Sequence, residues 1–219
     1  MFALWLKVLA LDAAQPAAAP EHVGSEPERR SHLELIVRAA LAPALTVSLI
    51  SGDELRANED GYGPAAVFQL GVRTDPSASI YLQSTVFGAF EPTTRILDDR
   101  ELVDEPDRLS SLSLVSVTLG STLHFGRMGR STYMGGHAGI SRMRYGLETG
   151  SSDVDWGFRA GYILGHDFEL SDAWSTGPLL QAELNLSRGQ IDPGDTVIEG
   201  GRNGFTILLG WSILLAPEA

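Results

Sequence analysis

From residue 33 to within a few residues of the end, the apolar residues of this sequence recur at every second position, in segment after segment. A repeat of two is that of a β-strand, whose side chains point alternately to opposite faces; a helix would bring apolar residues back at three and four. The pattern is cleanest where Trp156, Phe158, Ala160, Tyr162, Leu164, Phe168 and Leu170 alternate with Gly157, Arg159, Gly161, Gly165, Asp167 and Glu169. That run of some fifteen residues far exceeds the roughly 5 to 6 of an average globular strand. Seven further segments share the pattern. The first sets Leu35, Val37, Leu41, Leu45, Val47 and Leu49 against Glu34, Arg38, Thr46 and Ser48, and the last sets Phe205, Ile207, Leu209, Trp211 and Ile213 against Thr206, Gly210 and Ser212. The fifth, Ser131 to Thr149, is the least regular, and a bulge between Gly139 and Arg142 that swaps its faces is expected there.

No run of about 20 apolar residues follows the N-terminal block, so a helical membrane span is excluded from the body of the chain and any crossing must use strands. Most of the alternating segments reach the ~9 to 11 residues that a tilted strand needs to cross hydrocarbon. Their connections also alternate: long at Ser51 to Gly63, Glu91 to Arg108 and Gly189 to Asn203, intermediate at Thr149 to Asp153, short at Thr74 to Ser77, Gly126 to Arg130 and Ser171 to Ala173. An even strand count, alternating faces, and short turns at one end with long loops at the other are the marks of an outer-membrane barrel. The fold expected is all-β, an eight-stranded antiparallel up-and-down transmembrane β-barrel over residues 33–216, with a tail at 217–219.

Upstream, Met1 to Leu11 form an apolar block followed by Ala17, Ala18 and Ala19, which reads as a signal peptide or leader over 1–19. Residues 20–32, rich in Pro and Glu, read as a linker. There is no Cys, so disulfides, thiolate metal sites and thiol nucleophiles are excluded. A net charge of −12 with scattered cations argues against nucleic acid as a partner.

The polar parity collects Glu34, Arg38, Gln69, Arg73, Arg142, Arg144, Arg159, Asp167, Glu183 and Asn185, a mixed-sign set suited to pairing inside a narrow lumen. An unpaired charge there is costly, and eight-stranded barrels are filled by side chains, so a closed interior network is expected rather than an open pore. Glu34, Arg38, Gln69, Arg73, Arg142, Arg144, Arg159 and Glu183 are its expected members, with Gly157, Gly161 and Gly165 giving the long side chains room. Catalysis is not expected. His137 and Ser141, four apart on one strand, lie ~13 Å apart and cannot form a base and nucleophile pair through local spacing. His124 and His166 read as residues of the aromatic belt. Five scattered His offer no chelating pair, and the acidic residues at 53–60 and 98–107 read as solvated loops, so neither a metal nor another cofactor is expected.

The architecture resembles the OmpA/OmpX-like family of small outer-membrane barrels over roughly Leu33 to Leu215, with Gly204 to Leu215 resembling the last strand that the barrel assembly machinery reads. The resemblance implies residence in a bacterial outer membrane, contact with outer-membrane lipid and lipopolysaccharide, a monomer, and a structural or surface-interaction role. Two rivals share the strand pattern. A soluble lipocalin-like barrel would carry an apolar ligand on the same alternation, because a repeat of two does not say which face is inside. A lipid A-modifying barrel enzyme would require a His, Ser and carboxylate constellation.

Overall fold

Eight amphipathic strands laid side by side as an open sheet would leave unpaired N–H and C=O groups along both edges. In the computed structural model, which describes residues 34–51, 55–98, 109–147, 152–191 and 198–216, the sheet closes on itself. Its strands are β1 (Glu34–Ser51), β2 (Leu55–Asp75), β3 (Ala78–Asp98), β4 (Leu109–His124), β5 (Thr132–Leu147), β6 (Ser152–His166), the two-residue β7 (Phe168–Glu169), β8 (Trp174–Ile191) and β9 (Ile198–Leu215). Each long strand is antiparallel to the next, β6 pairs with β8, and β9 returns to β1. The result is the expected eight-stranded antiparallel up-and-down barrel, with β7 a short appendage on the start of β8.

The ladder register fixes its dimensions. Crossing from strand to strand through paired residues leads from Arg38 to Gln69, Gln83, Thr118, Gly139, Arg159, Asn185 and Gly204, and arrives back on β1 at Ser48, ten residues beyond the start. A stagger of ten around eight strands tilts them by about 40° and leaves an interior just wide enough to be filled by side chains.

Parity then sorts the residues. Leu41, Phe68, Leu82, Leu119, Tyr162 and Leu209 stand 48–74% exposed around the middle of the outer wall. A continuous apolar exterior of this extent has no place on a monomer in water. This face decides against the soluble carrier, whose apolar parity would point inward. Exposed aromatics mark both ends: Tyr62, Phe90 and Trp156 toward the hairpin end, and Phe125, Phe168 and Trp174 toward the turn end.

Three expectations are corrected. β5 has no bulge between Gly139 and Arg142; it pairs residue for residue with β6 from Thr132↔His166 to Gly146↔Ser152. Its alternation is hard to read because Gly135, Gly136 and Gly139 carry no side chain and because Met143 and Tyr145 are apolar residues of the lumen. With parity unbroken, Arg142 and Arg144 point outward and are not members of the interior network. Second, the segments read as long loops are largely ladder: β2 begins at Leu55, β3 runs to Asp98, β8 to Ile191, and β9 starts at Ile198. Beyond the apolar belt the outer face no longer has to be apolar, so pairing continues after the hydrophobic alternation has stopped. Third, His124 is a lumen residue and not part of the belt. At Pro43, which has no N–H to give, the β1–β9 ladder skips from Leu41↔Trp211 to Ala44↔Leu208.

Candidate functional site

Among the described residues, polar side chains from distant segments converge in the lumen, and they do so in three layers along the axis. At the turn end Arg38 of β1 meets Asp167, in the one-residue break between β6 and β7. The two guanidinium nitrogens donate to the two carboxylate oxygens at 2.9 and 2.8 Å, the bidentate geometry of a strong charge-assisted pair. Arg38 also donates to Ser212 Oγ at 3.1 Å and to the Tyr133 hydroxyl, and its guanidinium carbon sits 4.0 Å from the centre of the Tyr133 ring. Below this layer the turn between β4 and β5 folds Met128 into the mouth against Ile36, Leu214 and Ala216. Gly129 takes φ +86 there, a left-handed conformation that suits a residue without a Cβ. Glu34 and Arg73 pair at the same rim. The gap between Met128, Arg38, Gln69, Thr122 and His124 has room for about one water.

The middle layer centres on Glu183 of β8. It accepts a hydrogen bond from Arg159 of β6, and its other oxygen lies 2.9 Å from His137 Nε2 of β5. All three side chains are wholly buried. Gly161 makes this possible: a Cβ there would stand 2.8 Å from Glu183 Cγ and 2.9 Å from His137 Nε2. Ser141 Oγ donates to Asn185 and not to His137, so no base and nucleophile pair forms. On the neighbouring wall Gln69 donates to Gln83 at 2.8 Å, and Gln83 to Thr85 at 3.1 Å.

Toward the hairpin end the third layer holds Arg202 of β9 between Glu59 of β2, at 3.1 Å, and Asp155 of β6, with its guanidinium carbon 4.4 Å from the Tyr145 ring centre. Between the second and third layers much of the lumen wall is apolar, packed by Ala44, Ala65, Phe87, Leu112, Leu114 and Leu208. The interior is thus less uniformly polar than a strict alternation of polar-in and apolar-out requires.

Of the expected interior residues, Glu34, Arg38, Gln69, Arg73, Arg159 and Glu183 face the lumen, while Arg142 and Arg144 lie exposed on the outer wall. Sequence reasoning passed over Arg202 and Glu59, which fall in segments read as loops, and did not set Asp155, Tyr133 or His137 among the network. A continued count of parity through those segments places Arg202 on the same face as Thr206 and Ser212. Among the described residues no group of His, Asp and Glu is arranged to hold a metal ion.

No protein-family model matches this sequence, and no curated protein matches it. Solved structures do share its fold. It is similar to Neisserial surface protein A (14% identity, TM-score 0.53, covering 83% of this chain and 96% of that one). It is also similar to the outer membrane protein OprG from Pseudomonas aeruginosa (14%, 0.55, 84% and 97%). A third likeness is to the outer membrane protein AlkL, solved in lipid bilayers (12%, 0.50, 92% and 99%). The chain therefore has the fold of the small outer-membrane barrels.

Proposed function

We propose that this protein resides in a bacterial outer membrane as a closed barrel with a structural or surface-interaction role, neither conducting solutes nor catalysing a reaction. The observation that carries the reading is the filled lumen: Arg159, Arg202, Tyr81, Phe87, Leu112 and Leu114 are each at most 2% exposed and succeed one another along the axis. A water-filled channel requires a wider barrel than eight strands give. The apolar outer wall matches a hydrocarbon surround. By the usual orientation the turn end faces the periplasm and the long hairpins face outside, where they are the surfaces available to lipopolysaccharide or to other cells. Gly204 to Leu215 is the segment offered to the barrel assembly machinery, and the closed wall, in which each of the eight long strands pairs with a neighbour on both sides, suits a monomer.

The test has two parts. Refolded in detergent, the unboiled protein is expected to migrate differently from the boiled one on a gel; in planar bilayers it is expected to give no steady conductance. Stepwise conductance would refute the closed lumen. A β-rich protein that is soluble without detergent and shows no mobility shift would refute the membrane reading.

A further inference from the structure

Among the described residues the outer wall is apolar along most of its height but carries a cationic cluster. Arg142 and Arg144 of β5 and Arg188 of β8 all point outward and are exposed near the hairpin end. They bracket Trp156 of β6, which is 65% exposed. Arg142 is its cross-strand partner, with the guanidinium carbon 6.0 Å from the indole centre. Arg188 follows Ser187, the partner of Gly157, and so flanks Trp156 from the other side. Strand spacing puts Arg142 and Arg188 about 10 Å apart at the backbone, and Arg144 about 7 Å further along β5. Among the described residues no carboxylate lies within ion-pair distance of any of the three, whereas Arg38, Arg73, Arg130, Arg159 and Arg202 all have one.

Height decides what such a cluster meets. At a tilt of about 40° each step along a register row climbs roughly 3 Å, which brings the three arginines within about 6 Å of the level of Tyr62 and Phe90. That is the aromatic ring at the upper edge of the apolar belt, where lipid headgroups begin. A cation at mid-belt costs about 2–4 kcal/mol but one at the interface costs ~0–1. Guanidinium groups at headgroup level find their counter-charge in phosphate, which they bind in a planar, bidentate manner.

Building on the outer-membrane reading above, we infer that Arg142, Arg144 and Arg188 form a binding site on the outer wall for the phosphorylated headgroup of an outer-leaflet glycolipid of the lipid A kind, with Trp156 lying against its sugar. The spread of the three cations across two strand spacings favours a headgroup carrying phosphates at more than one position over a single phosphodiester. The site faces the leaflet that the hairpin end occupies.

The experiment uses the full chain refolded in detergent, titrated in turn with bisphosphorylated lipid A, phosphatidylglycerol, phosphatidylethanolamine and inorganic phosphate. Bound lipid is read by native mass spectrometry. Wild type is expected to retain lipid A in preference to the other three, and R142S/R144S to bind it at least about tenfold more weakly. Both proteins keep their heat-modifiable migration, since neither side chain touches the lumen. Equal lipid A binding by wild type and variant overturns the proposal. So does equal retention of phosphatidylglycerol, or occupancy by inorganic phosphate alone. Loss of heat modifiability in wild type would instead strike the outer-membrane reading itself. R188Q, on a different strand, provides the independent check: it is expected to weaken lipid A binding as well, and unaltered binding in that variant would overturn the three-arginine site.

Discussion

Glu183 offers the sharpest test of the lumen as a stabilising network. Its carboxylate is the shared acceptor of Arg159 and His137, all three groups being inaccessible to solvent. Glu183→Gln keeps the volume and one acceptor oxygen but deletes the charge, leaving the Arg159 guanidinium buried without a counter-ion. Breaking one side of a buried pair costs about 3–5 kcal/mol; because the amide oxygen still accepts from Arg159, the lower figure of about 3 is expected here. That corresponds to more than 100-fold in the unfolding constant. Replacing both partners by apolar residues of similar volume, Arg159→Met with Glu183→Leu, removes the stranded charge as well, and buried pairs exchanged in this way commonly come out neutral or more stable. The double variant is expected within about 1 kcal/mol of wild type. The assay is reversible urea unfolding in lipid vesicles followed by tryptophan fluorescence, with gel migration as a second probe. A Glu183→Gln variant within about 0.5 kcal/mol of wild type would refute the reasoning, because a charge stranded in the middle of a filled lumen cannot cost so little.

The same unfolding assay checks four more substitutions. Gly161→Val places a Cβ where Glu183 Cγ and His137 Nε2 already stand, so a loss of about 1–3 kcal/mol is expected; Gly201→Ala, where a Cβ meets nothing within 4 Å, should move the midpoint by less than ~0.5 kcal/mol. Arg202→Leu withdraws the cation lying between Glu59 and Asp155, and with two carboxylates left facing each other the cost should reach at least about 3 kcal/mol. Leu119→Lys on the exposed middle of the outer wall should cost about 2–4 kcal/mol in vesicles and far less in detergent, whose loose assembly lets the ammonium reach water.

Much of this architecture was legible because a strand writes its two faces into alternate letters. Leu35 through Leu49 and Trp156 through Leu170 declare both the strand and the set of residues that share a face, and an even count of such segments with short turns at one end points to a barrel. The signal fails where its physical cause is missing. In β5 three glycines leave gaps in the alternation, and Met143 and Tyr145 make the lumen face look apolar, so an unneeded bulge is inferred and Arg142 and Arg144 are assigned to the wrong side. Above the belt Glu59 and Arg202 stand on paired strands that no longer need an apolar face, and they read as loop.

By itself, then, the sequence determined the repeat of two, the number of strands and which side chains travel together, since these depend on a residue and its neighbours along the chain. Which face looks inward, and who meets whom inside, were decided by closure. Arg38 reaches Asp167 across 129 residues, and Arg202 reaches Glu59 across 143. A stagger of ten around eight strands sets those pairings, and stagger is a property of the closed ring of ladders that no single strand carries. The same closure turned Arg142, Arg144 and Arg188 outward around one tryptophan, making a cationic patch from residues that are scattered in the sequence.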